Sequence, residues 1–147
     1  MSARPGLFRN IHDRDYLGFW ADQTLQPRKV FDFLDLKKPD LAKVAGVSTQ
    51  SVRFDHKMPR EVLERLNEIA NICGLVAQFF AGDVNKTALW FQTKNSLLGD
   101  VSPRDMIRYG RAAKLRQFII AALEENEAVP SPNAPENLHG TTAASAA

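Results

Sequence analysis

The feature that most constrains the fold is a long amphipathic pattern between residues 60 and 81. Its apolar residues recur at alternating intervals of four and three, the spacing that places side chains on one face of an α-helix. These residues are Val62, Leu66, Ile69, Cys73, Val76 and Phe80. Leu63, Ile72, Leu75 and Phe79 extend the apolar character to the adjoining faces. We therefore predict a central core helix over 60–81, ended by Gly82 and Asp83.

Shorter helices are predicted on both sides of this one. Pro27 suits the first turn of a helix, and Asp40 is placed to cap another over 41–45, which Gly46 closes. Further helices are predicted from Ser48 or Thr49 to about Phe54, over 85–92, from Pro103 to Gly110, and over 111–125. Since every regular element is helical, the predicted fold class is all-α.

Composition excludes several classes of protein. A hydrophobic fraction of 44% and a charged fraction of 24% are typical of a globular chain, and a net charge of +2 requires any nucleic-acid-binding surface to be local. A single cysteine, Cys73, excludes an intramolecular disulfide framework. Residues 1–25 lack the hydrophobic centre of a secretory signal, and no apolar stretch is long enough to span a bilayer. We expect a cytoplasmic protein without a membrane partner.

The sequence shows no pattern of catalytic residues. Its histidines, His12, His56 and His139, lie in separate segments without partners at metal-ligand spacing, and no glycine-rich phosphate loop occurs. Cys73 lies on the apolar face of the core helix, where we expect it to be inert packing. We expect no enzymatic activity, no cofactor and no metal.

Residues 40–53 have the features of a helix-turn-helix. The sequence there is D-L-A-K-V-A-G-V-S-T-Q-S-V-R. Ala42 is small enough for two helices to approach closely, and Gly46, four residues later, supplies the positive φ of the turn. The apolar residues expected to fill the crossing are Leu41, Val47 and Val52.

The second helix of such a motif enters the major groove of DNA. Thr49, Gln50 and Arg53 lie on its exposed amino-terminal side, where they can contact base edges or phosphates, and Lys43 and Lys57 add basic charge. We predict DNA binding by a dimer, because one such helix makes only a few base contacts. The alternative is an ordinary helix pair with a glycine turn, which needs the same packing.

Pattern and composition together divide the chain into four parts. Residues 1–26 mix prolines, glycines and scattered aromatics without a sustained period, and form a leader that can dock on the body. Residues 27–81 form the helix-turn-helix domain with its connecting core helix, and residues 82–127 form a second, small helical domain. Residues 128–147 have too little apolar surface to bury, so we predict a disordered tail.

The second domain contains two turns built from polar residues. Residues 88–111 read A-L-W-F-Q-T-K-N-S-L-L-G-D-V-S-P-R-D-M-I-R-Y-G-R. Asn95 can satisfy its own turn by accepting hydrogen bonds from backbone amides. Ser102, Pro103 and Asp105 provide a capping serine, a proline at the first helical position and an acid three residues after the cap, which is typical of a helix start.

Two further features of the second domain suggest an interaction surface. Trp90 and Phe91 cannot both face inward on a short helix, so one is partly exposed, or is covered by a partner or by the leader. Arg104, Arg108 and Arg111 are spaced four and three apart, so a continuous helix would carry them as one basic stripe. Such a stripe can meet an acidic rim, although a solvated helix face is the more common arrangement.

The order of these elements resembles the toxin-binding domain of the MbcA/ParS/Xre antitoxin family. The residues that carry the resemblance are Trp90, Asn95, Leu98, Gly99, Ser102, Pro103, Gly110 and Arg111, followed by a closing amphipathic helix. A helix-turn-helix just before that domain is also the arrangement of Xre-type antitoxins. The resemblance covers roughly residues 30–123.

The resemblance implies a type II antitoxin whose second domain packs on a RES-type toxin, an enzyme that destroys NAD. By packing there, the antitoxin blocks the active site of the toxin. It also implies autoregulation, in which the antitoxin, as a homodimer or in a larger toxin–antitoxin complex, binds the operator DNA of its own gene pair. The expected toxin-binding residues are Trp90, Asn95, Leu98, Gly99, Arg104, Arg108 and Arg111. The alternatives are a stand-alone transcriptional regulator whose second domain only dimerises, and a scaffold that binds no DNA.

Overall fold

A computed structural model describes residues 15–128 of the chain, with side chains described through residue 125. This range is mostly helical. The helices are α1 (Pro27–Phe33), α2 (Lys38–Ala45), α3 (Arg60–Phe79), α4 (Val84–Gln92), α5 (Pro103–Arg108) and α6 (Ala112–Ala128), with 3-10 turns at Thr49–Ser51 and Ser96–Leu98. The leader's first 14 residues and the predicted tail from residue 129 onward, with His12 and His139, lie outside the described residues.

The long helix α3 is the centre of the fold. It packs against α1, α2, α4 and α6, and its predicted inner face is confirmed, because every member from Val62 to Val76 is at most 3% exposed and Phe80 is half-buried. After Phe79 the chain turns through Ala81 and Gly82, whose φ angles are +56° and +86°. The end of the helix therefore lies close to the predicted one.

A small β-hairpin, which the sequence analysis did not predict, precedes the helices. Strands β1 (Trp20–Ala21) and β2 (Thr24–Leu25) pair antiparallel. Asp22 and Gln23 connect them with positive φ angles of 51° and 67°, as in the two-residue turns of hairpins. Strands of two residues are too short to show an alternating pattern, and Asp-Gln lacks the glycine that usually marks such a turn.

The hairpin is anchored to the helical core. The Asp15 carboxylate accepts hydrogen bonds from the amides of Phe19 and Trp20 at 3.0 and 2.9 Å. Phe19 is 1% exposed, and its ring meets that of Phe33 edge-on, with the centroids 5.5 Å apart. This part of the leader is therefore packed on the body.

One hydrophobic core includes residues from both predicted domains. Leu41 and Val52 from the helix-turn-helix segment belong to the same buried cluster as Ile107 and Leu115 from α5 and α6. No helix within residues 15–128 is both long enough and apolar enough to cross a membrane.

Candidate functional site

The first candidate surface is the segment that follows α1. Helix α2 ends at Gly46, whose φ of +74° is the left-handed conformation predicted for the turn. The amide of Val47 donates to the carbonyl of Ala42 at 3.0 Å, and the amide of Gly46 donates to the carbonyl of Lys43 at 3.3 Å. These two bonds satisfy carbonyls that the end of a helix leaves without partners. Ala42 and Leu41 are buried beneath the turn.

The predicted second helix, from Ser48 or Thr49 to about Phe54, is wrong in extent. The structure has only a 3-10 turn at Thr49–Ser51, and Val52 is already extended. The physical reason is that Val52 and Phe54 both turn inward. An extended chain puts alternate residues on one side, whereas a helix would separate them by 200°. Val52 is 1% exposed, and Phe54 packs on Phe31 with ring centroids 4.9 Å apart.

The residues after Val52 form a compact charged turn. Arg53 pairs with the Asp55 carboxylate at 2.7 Å, and the same carboxylate accepts the backbone amide of Lys57 at 2.9 Å. The hydrogen bond from the Lys57 amide, with further help from Arg53, lowers the pKa of Asp55. Arg53 thus faces a carboxylate that competes with phosphate, while the Lys57 ammonium has no ion-pair partner in the described range.

All five predicted DNA-binding residues lie at the surface of this segment. Lys43, Thr49, Gln50, Arg53 and Lys57 are exposed, and α2 contacts the 3-10 turn directly. The polar groups can meet phosphates or base edges, but a three-residue turn does not offer the helical face that usually lies in a major groove.

The second candidate surface begins with a closed loop at residues 95–101. As predicted, Asn95 satisfies its own turn, because its side-chain oxygen accepts the amide of Leu97 at 2.9 Å. The Asn95 amide also donates to the carbonyl of Val101 at 3.1 Å and closes the loop. Gly99 is left-handed with φ +84°, and Leu98 is half-buried. The polar side chain of Asn95 is thus used inside the loop.

Helix α5 starts as predicted. The buried hydroxyl of Ser102 accepts the amide of Asp105 at 3.0 Å, and Pro103 occupies the first turn. This cap fixes the direction of α5, which buries Met106 and Ile107 in the core.

The condition for a basic stripe, one continuous helix through Arg104, Arg108 and Arg111, is not met, and the predicted break at Gly110 is confirmed. Helix α5 ends at Arg108, and Gly110, with φ +80°, breaks the chain before α6. Arg108 donates to Asp40 at 2.9 Å and to Asp105 at 3.0 Å, and these bonds raise the pKa of its guanidinium. Of the three predicted arginines, Arg111 alone is exposed without an ion-pair partner in the described range.

Arg104 also faces inward, toward the helix-turn-helix segment. Its Nη1 lies 3.5 Å from a carboxylate oxygen of Asp35, and its buried Nε has no hydrogen-bond partner. Arg108 therefore connects α5 to α2, Arg104 connects α5 to the loop before α2, and neither guanidinium is presented as a free surface cation.

The predicted asymmetry of Trp90 and Phe91 is confirmed. Phe91 is fully buried and Trp90 is half-buried, with the two rings edge-on and their centroids 5.1 Å apart. Trp90 faces an apolar groove between α3, α4 and α6. The residues that line this groove are Val76, Phe79, Phe80, Trp90, Phe118, Ile119, Ala122 and Leu123.

Three surface residues of this region are not among those predicted from the sequence. Leu89, Leu97 and Tyr109 are 65%, 57% and 58% exposed, and they are the three most exposed large apolar side chains of the described chain. A signal was present for Leu89, because Phe91, two residues later and nearly opposite on the helix, supplies the inward face of α4. For Leu97 and Tyr109 exposure depends on the two helix breaks beside them, which the sequence indicates only in part.

No group of histidine, cysteine, aspartate and glutamate side chains in the described range could hold a metal ion. Cys73 is fully buried, as predicted, and burial raises the pKa of its thiol. His56 is exposed beside the Arg53–Asp55 pair.

Comparison of the chain with protein-family models, curated proteins and solved structures finds no match.

Proposed function

We propose that this chain is the antitoxin of a type II toxin–antitoxin pair. In this proposal residues 90–111 and helix α6 bind a RES-type toxin and block its NAD-degrading active site, and the protein has no enzymatic activity of its own. The motif resemblance supplies the identity of the partner. The observation that carries a partner-binding surface is the exposure of Leu89, Leu97 and Tyr109, all within residues 89–109.

Their concentration in one short segment matters more than the exposure of any one of them. Single apolar side chains at a surface are ordinary, whereas a contiguous patch of them favours a protein interface, and we propose that these three form such a patch. Aromatic and arginine side chains are enriched in such interfaces, and Tyr109 and Arg111 lie on either side of the break at Gly110. The direct contacts that we propose are Leu89, Trp90, Leu97, Leu98, Tyr109 and Arg111.

Four of the predicted toxin-binding residues receive a different role in this proposal. Asn95 and Gly99 shape the loop that presents Leu97, and Arg104 and Arg108 hold α5 against the rest of the chain. They would support binding by positioning the surface.

Co-purification with the product of the adjacent gene tests the surface. We expect Leu97→Asp and Tyr109→Asp each to reduce recovery of the complex, because a charge placed in an apolar contact loses hydration. Val84→Asp is the matched control, because Val84 is also exposed, at 43%, but lies at the start of α4 outside the segment. Equal recovery with all three variants would contradict the proposed surface.

A second activity, binding of the operator DNA by a dimer, is favoured by the five exposed polar residues around the turn at Gly46. Lys43 and Lys57 have no ion-pair partner among the described residues, and they are available to phosphates. Because the 3-10 turn is short, we expect phosphate contacts to supply most of the affinity.

Substitutions of Arg53 and Asp55 test this second activity, because they should change the affinity for DNA in opposite directions. Arg53→Ala removes a phosphate contact and should weaken binding to the upstream DNA, whereas Asp55→Asn removes the competing carboxylate and should strengthen it. Fluorescence anisotropy over a series of salt concentrations measures both. The absence of salt-dependent DNA binding would favour the scaffold alternative, and salt-dependent DNA binding without a co-purifying partner would favour the stand-alone regulator.

A further inference from the structure

An apolar groove beside Trp90 leaves that side chain half-buried in the described structure. It lies between the carboxyl-terminal part of α3, the middle of α6 and the side of α4, and all of its lining residues are apolar. We propose that this groove binds the chain's own leader, residues 7–11, with Phe8 as the anchoring side chain. This proposal concerns the chain without its toxin: Trp90 and α6 are also proposed toxin contacts, so the leader would leave the groove when the toxin binds.

The place where the leader enters the described structure supports this occupant. Tyr16 lies against Gly82, so closely that a Cβ added to Gly82 would be 2.7 Å from the ring of Tyr16. Gly82 in turn donates its amide to the carbonyl of Ala77 at 2.8 Å, so it closes the same end of α3 that presents Phe79 to the groove. The eight residues from Tyr16 back to Phe8 can span up to about 26 Å, which brings Phe8 within reach.

The composition of the leader favours it over the other terminal segment. Residues 7–11 read L-F-R-N-I and supply one aromatic and two large aliphatic side chains. Residues 129–147 contain Val129 and Leu138 as their only large apolar residues, among three prolines. An apolar groove with aromatic walls gains more from burying Phe8 and its neighbours than from burying that polar segment.

Charge complementarity points to the same occupant. Residues 1–14 of the leader carry Arg4, Arg9 and Arg14 against one acid, Asp13. Near the groove, Glu124 and Glu125 follow Leu123 on α6; both are exposed and lack an ion-pair partner in the described range. The carboxyl-terminal end of a helix also favours nearby cations. Arginines flanking Phe8 would therefore meet a negative helix end.

Photo-crosslinking in the full chain tests the proposal directly. Phe8 is replaced by the photoreactive analogue benzoylphenylalanine, which keeps an aromatic ring, and the crosslinked peptides are identified by mass spectrometry. We expect an intramolecular crosslink, at monomer mass, to peptides that contain Trp90, Phe118 or Leu123. The same analogue at Ser2 is the control and should give much less of this product. Crosslinks at dimer mass would assign the groove to a second copy and overturn the proposal, as would the absence of any crosslink to the groove.

Quenching of Trp90 fluorescence by acrylamide gives an independent measurement. Trp20→Phe leaves Trp90 as the only tryptophan of the chain. In this background we expect Phe8→Asp to increase the quenching constant, because the leader no longer shields the indole, and Ser2→Asp to leave it unchanged. An unchanged constant in Phe8→Asp, or shielding that varies with protein concentration, would overturn the proposal. Far-ultraviolet circular dichroism checks that the variants keep the helical content of the parent.

Discussion

The guanidinium of Arg108 donates a hydrogen bond of 2.9 Å to the carboxylate of Asp40, a residue 68 positions earlier in the chain. Asp40 lies in the first turn of α2, and Arg108 is the last residue of α5. The bond therefore joins the candidate DNA-binding segment to the candidate toxin-binding segment. Arg104, which reaches toward Asp35, forms a second and longer link of the same kind.

This link predicts that Arg108→Ala destabilises the fold. The side chain is 31% exposed and bonded to two carboxylates, so we expect a loss of about 1–2 kcal/mol in the free energy of unfolding. Urea denaturation measures it. The control is Arg60→Ala, whose pair with Glu64 is far more exposed and should change stability by less than about 0.5 kcal/mol. Equal effects would mean that the link does not stabilise the fold.

The buried cap of α5 gives a second prediction. Ser102→Ala removes the hydroxyl that accepts the Asp105 amide and should cost about 1 kcal/mol. Ser48 offers a matched comparison, because its hydroxyl bonds only the exposed hydroxyl of Ser51 and caps no helix. If Ser48→Ala lowered the urea midpoint as much as Ser102→Ala, the cap would have no special role.

The break between α5 and α6 depends on the left-handed conformation of Gly110. Gly110→Ala should cost about 1 kcal/mol, since an added Cβ meets nothing within 4 Å and the penalty is conformational. Gly110→Asn should cost less, because asparagine tolerates this conformation better. If Gly110→Ala were as stable as the parent, the break between α5 and α6 would not depend on a left-handed glycine.

The buried thiol of Cys73 predicts a loss of stability at alkaline pH. Burial raises its pKa above the ordinary value of 9.0, so above that pH the unfolded chain releases a proton that the folded chain keeps. Ionisation then favours the unfolded state, and the thiol should lower stability by about 1.4 kcal/mol per pH unit. Urea denaturation of the parent and of Cys73→Ala over this range isolates the effect. A pH dependence that persists unchanged in the variant would have another source.

Local signals in the sequence predicted much of this structure. The four–three spacing identified the inner face of α3 because periodicity depends only on the helix itself. Asn95, Ser102 and Gly46 were interpreted correctly because a turn or cap bonds groups within a few residues.

The errors share one physical cause, which is competition from distant partners. Val52 leaves the predicted helix to reach the core, and Phe54 leaves it to pack on Phe31. Arg108, a candidate for toxin contact, bonds Asp40 instead. Spacing along the chain contains no information about these partners. The outward exposure of Leu97 and Tyr109 likewise depends on how the whole segment is folded.

The most direct test of the proposed function is the cellular NAD concentration, with growth, when the adjacent open reading frame is induced with and without this protein. We predict that NAD collapses when the neighbour is induced alone and recovers when this chain is co-expressed, with the two proteins purifying as a stable complex. Tyr109→Asp should fail to restore NAD while Val84→Asp restores it. A harmless neighbour, or NAD loss that this chain does not prevent, would contradict the antitoxin proposal.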